Sequence, residues 1–155
     1  MDNEDYLLRM FEQMAKMAAH LCGLSELVHI VELNRQGEHA EALAAIDRAW
    51  DELFAGPRGM VQTVDTATLV AILRQPARLR VAAQLFTEEA RARAATGDTG
   101  RAAACRRRAL ELILEARAIE PDAEDDAALG ELRAAVAPEA LSARHRAMLD
   151  PARVS

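Results

Sequence analysis

The chain has 155 residues and a net charge of −6 at pH 7, enough sequence for one domain with its own hydrophobic core. Alanine contributes 34 residues and leucine 19, while aromatic residues make up only 3%, so the composition predicts helices rather than a sheet. The acidic balance disfavours non-specific binding to nucleic acid or anionic lipid, and the single lysine, Lys16, lies in no phosphate-binding GxxxxGK motif.

The first predicted element is an amphipathic helix over about residues 3–22, which Gly23 ends. Its apolar residues recur at intervals of three and four, and several of them are methionines. Methionine is flexible and is common on surfaces that accept a partner helix, although such a stripe is also typical of a core face. We therefore interpret four of these residues as a candidate interaction surface: Leu7, Met10, Met14 and Met17.

Two helical hairpins are predicted next, over about residues 25–54 and 76–119. A loop rich in glycine and proline lies between them, followed by a short helix that Asp65 or Thr66 begins. Each hairpin has a glycine near its centre, where the chain must reverse direction.

The chain ends in a predicted helical pair. Asp122 can cap the first of these helices, and Pro138 can begin the second, because the N–H that proline lacks has no partner at that position. Residues 1–150 are therefore expected to form a single helical domain, with residues 151–155 as a frayed tail.

The two hairpin junctions share one pattern, in which a glycine is followed by an acid and then by alanines five and twelve residues after the glycine. Glycine permits the reversal, and the acid lies at the positive end of the second helix dipole. The alanines, being small, let the paired helices approach closely. The residues that carry the pattern are Gly37, Ala42 and Ala49 in the first hairpin and Gly97, Ala102 and Ala109 in the second.

This pattern resembles the helix–turn–helix of tetratricopeptide repeats, over about Ser25–Leu53 and Leu85–Leu114. The two glycines are 60 residues apart and most aromatic residues of the repeat are missing, so the resemblance implies degenerate, tetratricopeptide-like antiparallel hairpins. Over its whole length, from the Asp5-Tyr6 start onward, the chain also resembles a small bacterial family catalogued as a domain of unknown function. That second resemblance implies the same fold and adds no activity.

Residue types that could carry catalysis or bind metal are present without complete sites. Glu26 and His29 lie one helical turn apart, as in the ligand unit of di-iron bundles, but a second such unit is missing. Cys22 and Cys105 are candidate thiols, yet neither has an oxyanion-hole sequence beside it, and small core residues are the favoured interpretation. We predict no enzyme activity, no catalytic residue, no metal and no cofactor.

Positive charge is concentrated in residues 74–117, which carry a net +5 between two acidic segments. An internal electrostatic match, an acidic partner and head-to-tail association are all open explanations, with arginines on solvated helix faces as the favoured interpretation. A strip of Arg91, Arg101 and Arg108 could contact phosphates, but the scarcity of aromatic residues for base stacking argues against nucleic acid as a partner.

The sequence therefore favours a non-catalytic protein-interaction module or scaffold, with a groove between its hairpins that accepts a peptide or helix. A homodimer through the methionine-rich helix is part of this hypothesis. The alternatives are a small-molecule- or metal-binding helical bundle and, after it, an RNA-binding helical repeat. No apolar run approaches the ~20 residues of a membrane span and no secretion signal is recognised, so we expect a soluble cytoplasmic protein with no membrane partner.

Overall fold

The computed structural model describes residues 26–54 and 64–149, together with Tyr6 and Arg9. Every regular element in this part of the chain is helical, and no strand occurs in it, which confirms the all-α class. Two 3₁₀ turns, Ala123–Asp125 and Pro138–Ala140, lie among the helices. The α-helices of residues 26–54 and 64–149 are α1 (Glu26–Arg35), α2 (His39–Phe54), α3 (Thr66–Leu73), α4 (Pro76–Ala95), α5 (Thr99–Ile119), α6 (Asp126–Ala135) and α7 (Ala143–Leu149).

The turns that join α1 to α2 and α4 to α5 have the same geometry. Gly37 and Gly97 adopt φ values of 80° and 90°, in the left-handed region that favours glycine. In each turn the residue after the glycine donates its N–H to the carbonyl five residues earlier, at 2.9 Å and 2.8 Å respectively. This is the Schellman arrangement, which satisfies carbonyls that the end of a helix leaves unpaired.

The four junction alanines are completely buried. Ala42 and Ala49 on α2, and Ala102 and Ala109 on α5, are all 0% exposed. A side chain of one carbon at such positions lets two helix backbones pack at short distance. The alanines seven residues apart therefore occupy core positions on the second helix of each hairpin.

The two hairpins pack against each other through α4, which contacts both α1 and α2. Between α2 and α4, the rings of Trp50 and Phe86 lie with their centroids 5.1 Å apart at a tilt of 60°. Between α1 and α4, the Asn34 side-chain amide donates a hydrogen bond of 3.0 Å to the backbone carbonyl of Glu88. Both helices of the first hairpin thus contact the first helix of the second.

The remaining helices, α3, α6 and α7, all pack against α5, the second helix of the second hairpin. Helix α3 begins after Asp65, whose carboxylate accepts the Thr68 N–H at 2.8 Å, in agreement with the predicted start.

The C-terminal pair differs from the sequence prediction in where its helices begin. Asp122 caps the 3₁₀ turn that precedes α6 and not α6 itself. Its carboxylate accepts a hydrogen bond of 2.9 Å from the Glu124 N–H. The prediction that Pro138 begins the last helix is wrong, because Leu141 adopts an extended backbone that places its side chain in the core. Helix α7 starts afterwards, where the Ser142 hydroxyl accepts the His145 N–H at 3.3 Å.

Two glycines three residues apart provide a matched test of the second junction. Replacing Gly97 with alanine forces an L-residue into the left-handed region, so we expect the free energy of unfolding to fall by about 1–2 kcal/mol. Gly100 lies in the first turn of α5 with open space around an added Cβ, so Gly100→Ala is expected to raise it by about 0.4–1 kcal/mol. Urea denaturation measures both, and effects of the same sign would contradict the turn geometry.

Candidate functional site

The methionine-rich surface predicted from the sequence, Leu7, Met10, Met14 and Met17, lies outside the described residues, as does Cys22. The homodimer expected from that surface therefore stays a prediction. Within the described helices, none combines the length and apolar character needed to cross a membrane.

Glu26 and His29, which have the spacing of one di-iron ligand unit, differ in their exposure. The Glu26 side chain is half-buried with Oε2 lacking a partner, whereas His29 is exposed. Across residues 26–54 and 64–149, no group of three His, Cys, Asp or Glu side chains is placed to hold a metal ion.

Cys105 is a buried thiol on α5 that donates toward the Glu89 carboxylate over 3.4 Å. Burial, reinforced by the negative charge of Glu89, raises the pKa of Cys105 to about 12. The group is therefore protonated at neutral pH, unlike the thiolate that nucleophilic chemistry needs. Of the arginines that follow it, Arg108 instead stacks over the Phe86 ring, 4.9 Å from its centroid.

The arginines of the basic segment do not form one phosphate-binding strip. Arg108 donates to the Val64 carbonyl at 2.6 Å, and Arg91 is paired with two carboxylates. Arg101 is exposed, with Asp98 3.8 Å away. Among the explanations open at the sequence level, the structure favours an internal electrostatic match over arginines on solvated faces.

The acids that pair with these arginines were not identified from the sequence. Asp125, which is buried, accepts three hydrogen bonds of 3.0–3.1 Å from Arg80, whose guanidinium also donates to the Glu120 carbonyl at 2.6 Å. This pair fixes α4 to the turn before α6. Arginine suits the position because its planar fork can bind both carboxylate oxygens together.

A second cluster joins α7 to α5. Glu115 accepts hydrogen bonds of 2.8 Å and 3.0 Å from Arg144 and lies 3.0 Å from His145 Nε2. One turn earlier, Glu111 accepts the Thr66 hydroxyl at 2.7 Å. The buried His145 ring thus lies between two glutamates of α5, with its Nδ1 atom 3.5 Å from Glu111 and 2.9 Å from the Ser142 hydroxyl. Every polar group named here has a protein partner.

Polar pairing is also incomplete at two residues that line a pocket of about 30 Å³ between α1, α4, α5 and α6. Glu88, with a side chain only 3% exposed, accepts a 2.6 Å hydrogen bond from Arg91 through Oε2, while its Oε1 has no partner. The buried amide oxygen of Gln84, one turn earlier on α4, also lacks a partner. The pocket is lined by Val31, Gln84, Thr87, Glu88, Arg91, Ile113 and Ala128.

Burial is the main electrostatic influence on Glu88. Removal from water raises the pKa of its carboxyl group, and the neighbouring Arg91 guanidinium only partly offsets that effect. Arg91 is in turn 3.2 Å from the Glu131 carboxylate of α6, so it links the buried acid to an exposed one. We take this pocket as the candidate functional site, since Gln84 and Glu88, whose side chains each have a buried oxygen without a hydrogen-bond partner, belong to its lining.

No family model, curated protein or solved structure matches the chain. The resemblance to tetratricopeptide repeats therefore stays an expectation from the sequence pattern at the two junctions.

The signal that could have revealed Glu88 is its position on an otherwise apolar stripe. It lies seven residues after Val81 and three after Leu85, both of which are buried on α4. Glu111 and Glu115 fall in the same way within the buried part of α5. Because acids are normally assigned to the solvent face, sequence reasoning placed none of the three inside.

Glu88 and Glu115 should affect stability with opposite pH dependence. The raised pKa of Glu88 means that the folded state loses stability as pH rises from about 4.5, the usual value, through the folded-state pKa. Hydrogen bonds from Arg144 lower the pKa of Glu115, so its ionised form contributes stability that is lost as pH falls through that lowered pKa.

The variants Glu88→Gln and Glu115→Gln test this, with urea unfolding measured between about pH 2.5 and pH 8 so that the range extends below the ordinary glutamate pKa. Relative to the original protein, Glu88→Gln should gain stability with rising pH and Glu115→Gln should lose it. Parallel pH trends for the two variants would show that the electrostatic assignment is wrong.

Proposed function

We propose that this protein is a non-catalytic interaction module built from tetratricopeptide-like stacked hairpins, which binds a peptide or helix of a protein partner along α1 and α4. The single observation that carries the proposal is the pocket between those two helices, whose lining combines apolar side chains with Gln84, Glu88 and Arg91.

The packing of the hairpins supports this choice of surface. In stacked helical hairpins, successive repeats contact their neighbours and create an extended concave binding surface. Here α1 and α4 are the first helices of the two hairpins and contact each other, as the Asn34–Glu88 hydrogen bond illustrates. Helix α6 contributes Ala128 to the lining of the same pocket.

The arrangement of charge is consistent with binding rather than turnover. The thiol of Cys105 is protonated, and His145 is buried between Glu111 and Glu115 instead of facing the pocket. The pocket is lined by a few polar side chains (Gln84, Thr87, Glu88 and Arg91) beside apolar ones, which is a composition typical of recognition sites.

A peptide-display selection against the immobilised full chain tests the proposal. Peptides selected on the original protein are then titrated against Ala128→Leu, which places extra carbons in the pocket, and against Ala134→Leu, an exposed position of the same helix. We expect Ala128→Leu to weaken binding by at least about tenfold, or about 1.4 kcal/mol, and Ala134→Leu to leave it unchanged.

Circular dichroism and urea denaturation establish that both variants keep the fold. Failure to select any peptide, or equal binding by both leucine variants, would contradict a binding groove at α1 and α4.

A further inference from the structure

We propose that the Ser142 hydroxyl is a nucleophile that activated carboxylic esters acylate, with His145 as its general base and Glu115 as the group that orients His145. The site lies where α7 begins and shares no residue with the lining of the pocket between α1, α4, α5 and α6. Acylation of Ser142 is therefore independent of peptide binding in the groove.

Three side chains form a continuous series of hydrogen bonds, which we call the relay: Ser142, His145 and Glu115. The Ser142 hydroxyl lies 2.9 Å from Nδ1 of His145, and Nε2 of the same ring lies 3.0 Å from a carboxylate oxygen of Glu115. Arg144 holds this acid in turn, with hydrogen bonds of 2.8 Å and 3.0 Å to its two oxygens. A nucleophile within reach of a base, with a third group that holds the base, is the arrangement that activates a serine.

The ionisation of Glu115 determines which nitrogen of His145 acts as the base. Hydrogen bonds from Arg144 lower the pKa of the Glu115 carboxyl group, so it is a carboxylate at neutral pH. A carboxylate only accepts hydrogen bonds, so the ring nitrogen that faces it, Nε2, carries the hydrogen. In the neutral imidazole the lone pair is then on Nδ1, the atom that faces the Ser142 hydroxyl.

The surroundings of the ring favour transfer of the hydroxyl proton to His145. The imidazole is buried, with Glu115 at Nε2 and an oxygen of Glu111 3.5 Å from Nδ1. An imidazolium that forms by proton transfer therefore lies between two glutamates of α5. Negative groups that are already in place stabilise such a cation as it develops, as the acid of a serine–histidine–aspartate triad does.

The nucleophile is accessible although its base is buried. Ser142 is exposed, and so are Ala140 and Ala143, whose small side chains leave room for an ester near the hydroxyl. Arg146 is exposed as well and follows Ser142 by four residues, which places it one turn along the same side of the helix. Its positive charge favours the oxyanion that develops from the ester carbonyl during attack.

The acyl transfer needs no redox partner. The Ser142 oxygen forms a bond to the carbonyl carbon while its hydrogen passes to Nδ1 of His145, and the carbonyl oxygen becomes an oxyanion. The carbonyl then re-forms, the bond from carbon to the leaving-group oxygen breaks, and that oxygen takes the hydrogen from Nδ1. The products are an acyl ester of Ser142 and a free alcohol or phenol. The acyl group stays on the serine, so the step is a covalent modification and not a turnover.

The experiment incubates the full chain with p-nitrophenyl acetate at neutral pH and follows acetylation of Ser142 by mass-spectrometric peptide mapping. The same hydroxyl in the urea-unfolded chain provides the reference rate, because unfolding separates Ser142 from the relay. We expect acetylation to be about 10²–10⁴ times faster in the folded protein, which is the factor that a positioned general base supplies. Equal rates in the folded and unfolded chains would overturn the proposal.

A pair of glutamate variants tests the orienting role of Glu115. Glu115→Gln removes the carboxylate charge from the relay and should slow acetylation of Ser142 by at least about tenfold. Glu139→Gln makes the same change at an exposed position of the turn before Ser142 and should leave the rate unchanged. Circular dichroism establishes that both variants keep the fold, and equal rates in the two folded variants would show that Glu115 has no such role.

The tautomer of His145 tests the relay in the unsubstituted protein, so it does not depend on how well a variant folds. Nitrogen NMR of the chain with isotope-labelled histidine distinguishes a ring nitrogen that carries hydrogen from one that has a lone pair. We expect the hydrogen on Nε2 and the lone pair on Nδ1 in the neutral ring. Hydrogen on Nδ1 would leave Ser142 without a base and would contradict the assignment.

Discussion

Close packing of α4 against α5 is the interaction on which the other described helices depend. These are the two longest described helices, of 20 and 21 residues, and α1, α2, α3, α6 and α7 each contact one of them. Ala83, Ala102 and Ala109 are fully buried on this pair, which lets the two backbones approach closely. Since the remaining helices have these two as their common support, separating α4 from α5 would remove the surfaces against which they pack.

The buried faces of α4 and α5 also carry acidic residues, which the packing must accommodate. Most of these acids are paired with arginines, as Glu115 is with Arg144 of α7. An arginine of α4 also joins a different element, since Arg80 pairs with Asp125 of the turn before α6. Removing one partner of such a buried pair is costly, so the pairs also restrict how the outer helices can shift. Glu88 is only partly paired, because its Oε2 bonds to Arg91 while its Oε1 is buried without a hydrogen-bond partner. The candidate site thus arises where the internal charge pairing is incomplete.

The sequence was sufficient for features that depend on local chemistry, and insufficient for those that depend on packing. A glycine followed by an acid predicts a reversal, and both Gly37 and Gly97 adopt the left-handed backbone that the reversal needs. The start of α7 depends instead on tertiary packing. Leu141 is extended and the next residue, Ser142, caps the helix, and no local sequence pattern indicates that arrangement. Glu88 was missed for a similar reason, since an acid on an apolar stripe is recognised as buried only once its neighbours are known.

The central claim is that the first hairpin stacks on the second through α4, and the Trp50–Phe86 contact tests it most directly. These rings come from the two different hairpins and lie 5.1 Å apart. A double-mutant cycle with Trp50→Leu, Phe86→Leu and the double variant, measured by urea denaturation followed by circular dichroism, isolates their interaction. The stacked arrangement predicts a coupling energy of about 0.5–1.5 kcal/mol. Additive effects, with a coupling indistinguishable from zero, would contradict it.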